Sequence, residues 1–137
     1  MTDNNNLLGA WELVSLHFVF DDNGERVNPH GPHPAGVIVL TERRMVGIIT
    51  SGAEAQRANT DAAALLRGML AYSGPYRIEG DKFITTVDLA WHPSWIGTEQ
   101  VRFFSIDGDR LTITTAPQTL PRYGERLGHG VLEWRRD

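Results

Sequence analysis

The sequence predicts an all-β protein: one eight-stranded, up-and-down antiparallel barrel with a short helix near its open end. Three observations carry this expectation. Two near-copies of one phrase, Ile78-Glu79-Gly80-Asp81-Lys82 and Ile106-Asp107-Gly108-Asp109-Arg110, each sit between two strand-like runs. In both, glycine supplies the positive φ of a tight hairpin turn. Short β-type runs then recur along the chain, separated by turn residues. Finally, Gly9-Ala10-Trp11 opens the first run.

Taken in order, residues 7–20 read as one long strand, closed by the turn signal Asp21-Asp22-Asn23-Gly24. Asn28-Pro29-His30-Gly31-Pro32-His33-Pro34 is too rich in proline and glycine for a sheet interior. Residues 37–41 and 45–50 form a hairpin around Glu42-Arg43-Arg44. The β pattern then breaks. Asn59 or Thr60 can cap a helix running through Leu70, with Leu65, Leu66, Met69 and Leu70 as its apolar stripe. Strands resume at 72–78, 83–91, 99–106, 111–115 and 126–135. About eight antiparallel strands close into a barrel wide enough for one small ligand. An open sandwich is the rival, and sequential hairpins with short turns favour the barrel. The helix, between the third and fourth strands, would lie across an open end.

The bulk numbers narrow the function. A chain of 137 residues is one domain, 1–137, with 41% hydrophobic and 22% charged residues. A formal net charge of −4 argues against a nucleic-acid partner. No apolar run approaches the roughly 18 residues of a membrane span. The start, Met1-Thr2-Asp3-Asn4-Asn5-Asn6, lacks the basic-then-apolar order of a signal peptide, so a cytoplasmic location is expected. With no cysteine there is no disulfide, thiolate zinc site or cysteine nucleophile. His30 and His33 are spaced H-x-x-H in a proline-rich loop without a third ligand, so no metal is expected. No dinucleotide fingerprint, P-loop or Gly-x-Ser-x-Gly appears, and no cofactor is expected.

Several segments carry a resemblance. Leu8-Gly9-Ala10-Trp11-Glu12-Leu13-Val14-Ser15, Gly31-Pro32 through Gly36, Tyr72-Ser73-Gly74-Pro75-Tyr76, 93–102 and Asp107-Gly108-Asp109-Arg110-Leu111 stand in the order and spacing of the bacterial and fungal lipocalin-like domain family. The chain resembles that family over nearly its whole length. The resemblance implies a calycin-type barrel with an apolar cavity. It implies no single activity, because similar small barrels include carriers as well as cyclases and isomerases of natural-product pathways. Where this chain has Thr86 and Ala90 the family often has histidine and serine. The resemblance also implies that Trp11 plugs the closed end and that an arginine of Trp134-Arg135-Arg136 covers it.

Strand parity sorts the candidates for chemistry. Trp11, Leu13, Ser15, His17 and Val19 share one face of the first strand. If Trp11 is the plug, Ser15 and His17 point into the cavity, where an imidazole suits acid–base work. Gln100, Arg102 and Phe104 share a face, and the family resemblance inclines them inward. An inward guanidinium needs a partner, so Arg102 would hold a carboxylate, enolate or phenolate of a ligand. Asp88 and His92 share a face, opposite Phe83, Val87, Leu89 and Trp91. Two arrangements stay open: Asp88 in water, or Asp88 inside near Arg102 with the apolar face on a partner subunit. Tyr72 and Tyr76 share a face, with Gly74 leaving room between them. Trp91 and Trp95 flank His92-Pro93 at a strand exit, a rim-like place. Met45 and Met69 offer adaptable apolar surface.

These residues give two expected functions. One is a binder of a small, largely apolar molecule, such as a secondary-metabolite intermediate. Its site would be Ser15, Met45, Tyr72, Trp95, Gln100 and Phe104. The other is a cofactor-free cyclase, isomerase or lyase using His17, Arg102, Asp88 and Tyr76. The partner in either case is a small molecule, and a homodimer fits only the inverted parity of residues 83–91.

Overall fold

The computed structural model describes residues 4–120 and 123–137. Eight principal strands pair antiparallel in a closed ring. They are β1 (Gly9–Phe20), β3 (Ala35–Leu40), β4 (Arg44–Thr50), β5 (Leu70–Glu79), β6 (Lys82–Thr86), β8 (Glu99–Asp107), β9 (Arg110–Thr115) and β10 (Gly128–Arg136). Two-residue strands β2 (Arg26–Val27) and β7 (Leu89–Ala90) append to β1 and β5. Each principal strand pairs with its sequence neighbour, and the β1–β10 ladder, Trp11↔Arg136 through Phe20↔Gly128, closes the barrel. The β5–β6 and β8–β9 hairpins turn on Gly80 and Gly108, at φ 64 and 61. There an L side chain is strained and glycine is not.

Inward-facing residues fill one end of the ring. Trp11, Leu40, Phe83 and Leu111 are essentially inaccessible there, with Trp134 2% exposed. A helical turn, α1 (Asn4–Leu7), seals this end, and the Trp11 indole N–H donates to the Leu7 carbonyl at 3.0 Å. The Arg136 guanidinium lies 4.0 Å from the Trp11 ring centroid and donates to the carbonyls of Leu8 (3.1 Å) and Asn6 (2.6 Å). One cation thus covers the plug and satisfies carbonyls at and just beyond the end of α1.

Three local expectations are corrected. The helix expected from Asn59 or Thr60 through Leu70 is shorter, α3 (Ala62–Arg67), and a second short helix, α2 (Ala53–Arg57), precedes it where none was expected. Asp61 caps α3 by accepting from the Ala63 N–H at 3.1 Å, while the Asn59 side chain accepts from Asp61 N–H. Gly68 stops α3, and Leu70 already belongs to β5. The strand expected at 83–91 breaks after Thr86, and Leu89–Ala90 pairs with Tyr72 and Ser73 of β5 instead. Gly74 permits that crossing, since a Cβ there would overlap the Thr86 carbonyl. Its missing side chain therefore serves the backbone and not ligand room. Finally, β1 carries a bulge, described with the site it alters.

Candidate functional site

The end of the barrel opposite Trp11 is hollow. A cavity of about 880 Å³ opens there between the strand walls and the segment holding α3. That volume lies in the range of small-molecule sites. Its walls are chiefly apolar: Leu16 and Phe18 of β1, Ile38, Met45, Ile49, Tyr72, Ile113 and Leu132. Ala63 and Leu66 of α3, with Met69, roof part of the mouth, and Trp91, His92, Ser94 and Trp95 form its rim. Among the described residues no aspartate or glutamate lines this space, although the chain holds 17 of them. Arg102 and Arg67 line it, with three histidines.

Arg102 is the fourth residue of β8, roughly 10 Å inside the mouth at an extended rise of about 3.4 Å per residue. Phe104 and Ile106, on the same face, pack on the core, whereas Glu99 outside pairs with Arg77 at 2.9 Å. The Arg102 guanidinium donates to the Val101 carbonyl (3.0 Å) and reaches the Gln100 carboxamide oxygen (3.5 Å). It stands 5.9 Å from the Tyr72 ring centroid. No carboxylate pairs with it among the described residues. Gln100 is not on the wall itself. Its carboxamide N–H donates to the Thr98 hydroxyl (2.9 Å), which donates to the Trp95 carbonyl (2.6 Å).

Ser15 does not face the cavity as expected, and His17 only borders it. The β1–β10 register runs Leu13↔Trp134 and then Ser15↔Glu133, so Val14 is one extra residue in a β-bulge. The bulge shifts the parity: Trp11 and Leu13 point in, and after it Leu16, Phe18 and Phe20 are buried instead. His17 borders the wall between Leu16 and Phe18, in register with half-exposed Val131. Burial lowers its pKa, assisted by Arg26 and His129 and opposed by Glu133.

Asp88 lies outside the barrel. Its carboxylate accepts from Arg44 at 2.7 Å and from the Ser73 hydroxyl at 3.1 Å, and the Arg44 hydrogen bond is the main cause of its lowered pKa. Of the apolar residues at 83–91, Phe83 and Val87 are buried inward, whereas Leu89 is exposed. Tyr76 is spoken for at the closed end: its hydroxyl donates to the Thr41 carbonyl at 2.6 Å, and burial pushes its pKa up. Met45, Tyr72 and Trp95 line the cavity. Phe104 lies beneath it, 5.8 Å from Phe83.

Two ionisable residues of the mouth, Arg67 and His30, stand outside the expected site. Arg67 arrives from α3. His30 arrives from the proline-rich loop, and its Nδ1–H donates to the Gly68 carbonyl at 3.0 Å, joining that loop to the end of α3. A local motif cannot signal either one, because each reaches the mouth only by long-range packing. His92, at the rim, accepts at Nδ1 from the Ser94 N–H (3.2 Å) and hydroxyl (2.8 Å). Its neutral form therefore carries the proton on Nε2.

A family model described as a lipocalin-like domain matches residues 8–137. Among curated proteins none gives a significant match.

Proposed function

Since the chain belongs to the lipocalin-like domain family, we propose that its barrel binds a small, largely apolar molecule bearing one acidic or polarised oxygen. The observation that carries this reading is Arg102. A guanidinium with no carboxylate partner among the described residues, set inside an apolar cavity, leaves its charge to be met by a ligand. Carriage is favoured over catalysis because the expected acid–base set is dispersed. Arg44 holds Asp88 outside, the Thr41 carbonyl takes the Tyr76 hydroxyl, and the bulge leaves His17 only at the edge of the wall.

Arg102→Leu tests the reading by thermal shift against aromatic and aliphatic acids. A bound acid stabilises the wild type by mass action, about 2.7 kcal/mol at a hundredfold excess over Kd. The variant is expected to lose that stabilisation while keeping its own melting temperature, because exchanging an inward charge for an apolar group of similar bulk is often neutral or stabilising. Arg102→Lys is also impaired, since a point charge replaces a planar fork. Undiminished acid binding by Arg102→Leu refutes the proposal.

A further inference from the structure

One wall of the cavity is aromatic without interruption from Arg102 to the rim. The Arg102 guanidinium lies 5.9 Å from the Tyr72 ring, Tyr72 lies 5.1 Å from Trp95, and Trp95 lies 4.9 Å from Trp91. The last two pairs are inclined at 55° and 67°, so the rings form facets of a corner and not a single stack. The wall is also held as a unit. Arg102 reaches Gln100, Gln100 donates to Thr98, and Thr98 donates to the carbonyl of Trp95. The Trp91 backbone N–H in turn donates to the Ala71 carbonyl at 2.8 Å, next to Tyr72. The hydrogen bonds that reach the cation therefore run on to the backbone that carries Trp95. Strand order puts β10 and β1 across the ring from β5, and there the wall bears no side chain at Gly130.

We infer that the ligand is a planar, conjugated acid, its anionic oxygen on Arg102 and its flat body lying along Tyr72 and Trp95. This rests on the acid-binding reading above and adds the shape of the molecule. An aromatic corner rewards a flat π-face beyond the area it buries, because edge and offset ring contacts add an electrostatic gain. A rigid ligand also loses little rotamer freedom on entering, whereas a flexible chain loses much. The planar guanidinium fork matches a carboxylate or enolate held in the plane of such a ring system.

The test compares 2-naphthoate with decanoate, two monoacids of similar size, on the full chain. Affinity is read by calorimetry and by quenching of tryptophan emission. The expected result is at least tenfold tighter binding of 2-naphthoate. Trp95→Leu should weaken 2-naphthoate about tenfold more than decanoate, and Trp95→Phe should restore most of the difference. Retained decanoate binding certifies that the variant is folded; if it is lost, the Trp95→Phe pair decides, by its preference for 2-naphthoate. Equal affinity for the two acids, or equal weakening of both by Trp95→Leu, overturns the planar-ligand inference and leaves acid binding standing. Binding of neither acid overturns both.

Discussion

His17 shows how one residue reports on its environment. Its unfolded value is near the ordinary 6.5, and burial lowers it in the fold. Between those two values the unfolded chain takes up a proton that the native state refuses. Stability contributed by His17 is therefore full above about pH 6.5 and is lost progressively as pH falls toward the folded value. Asp22, Asp88 and Glu99 act lower down. Hydrogen bonds from Arg126, Arg44 and Arg77 hold them beneath their ordinary 3.8 to 4.5, so their contributions survive until pH falls below that range. Urea unfolding from pH 7.5 to 3 should show both regions. His17→Gln is expected to flatten the upper one and leave the lower one intact. An unchanged slope between pH 6.5 and 5 would show that His17 is not buried as described.

Among the elements, β1 decides which side chains see the cavity. Val14 is the extra residue, so its removal sets Ser15 opposite Glu133 in an unbroken ladder and keeps Leu16, Phe18 and Phe20 pointing inward. Removal of Val14 and Ser15 together moves Leu16 opposite Glu133 and turns that apolar set toward solvent. The single deletion is expected to fold with some loss of stability, as the strand loses its local coiling. The double deletion is expected to lose cooperative unfolding. Near-UV circular dichroism and urea melts distinguish them, and equal tolerance of both deletions would contradict the register.

At the scale of the molecule, stability depends on closure between the two ends of the chain. β10 pairs with β1 along its length and brings Trp134 to the closed-end core and Arg136 over Trp11. A chain ending at residue 127 leaves β1 and β9 as bare edges and uncovers the plug. Such a truncation is expected to give no cooperative transition by far-UV circular dichroism and to aggregate. Because this pairing spans almost the whole sequence, refolding of the intact chain belongs in the millisecond-to-second range of non-local β topologies. Microsecond refolding in stopped flow would argue against closure as a late, necessary step.

Local patterning specifies the hairpins, the ring order that follows from them and the glycines at positions 80 and 108, and the family resemblance supplies the Trp11 plug with its arginine cover. Each depends on residues adjacent in the chain or on a motif kept whole. Tertiary structure decided the faces and the mouth. Alternation is a local rule, and it cannot foresee the extra residue at Val14, which appears only when β1 is laid against β10. Nor can it foresee the break after Thr86, which exists because Gly74 lets another strand's carbonyl approach. Asp88 reads as either inside or outside until Arg44 arrives from a different hairpin to claim it. His30 and Arg67 join one cavity from segments that have no common pattern. Pairing register and long-range approach set these features, and both come into being only when the barrel closes.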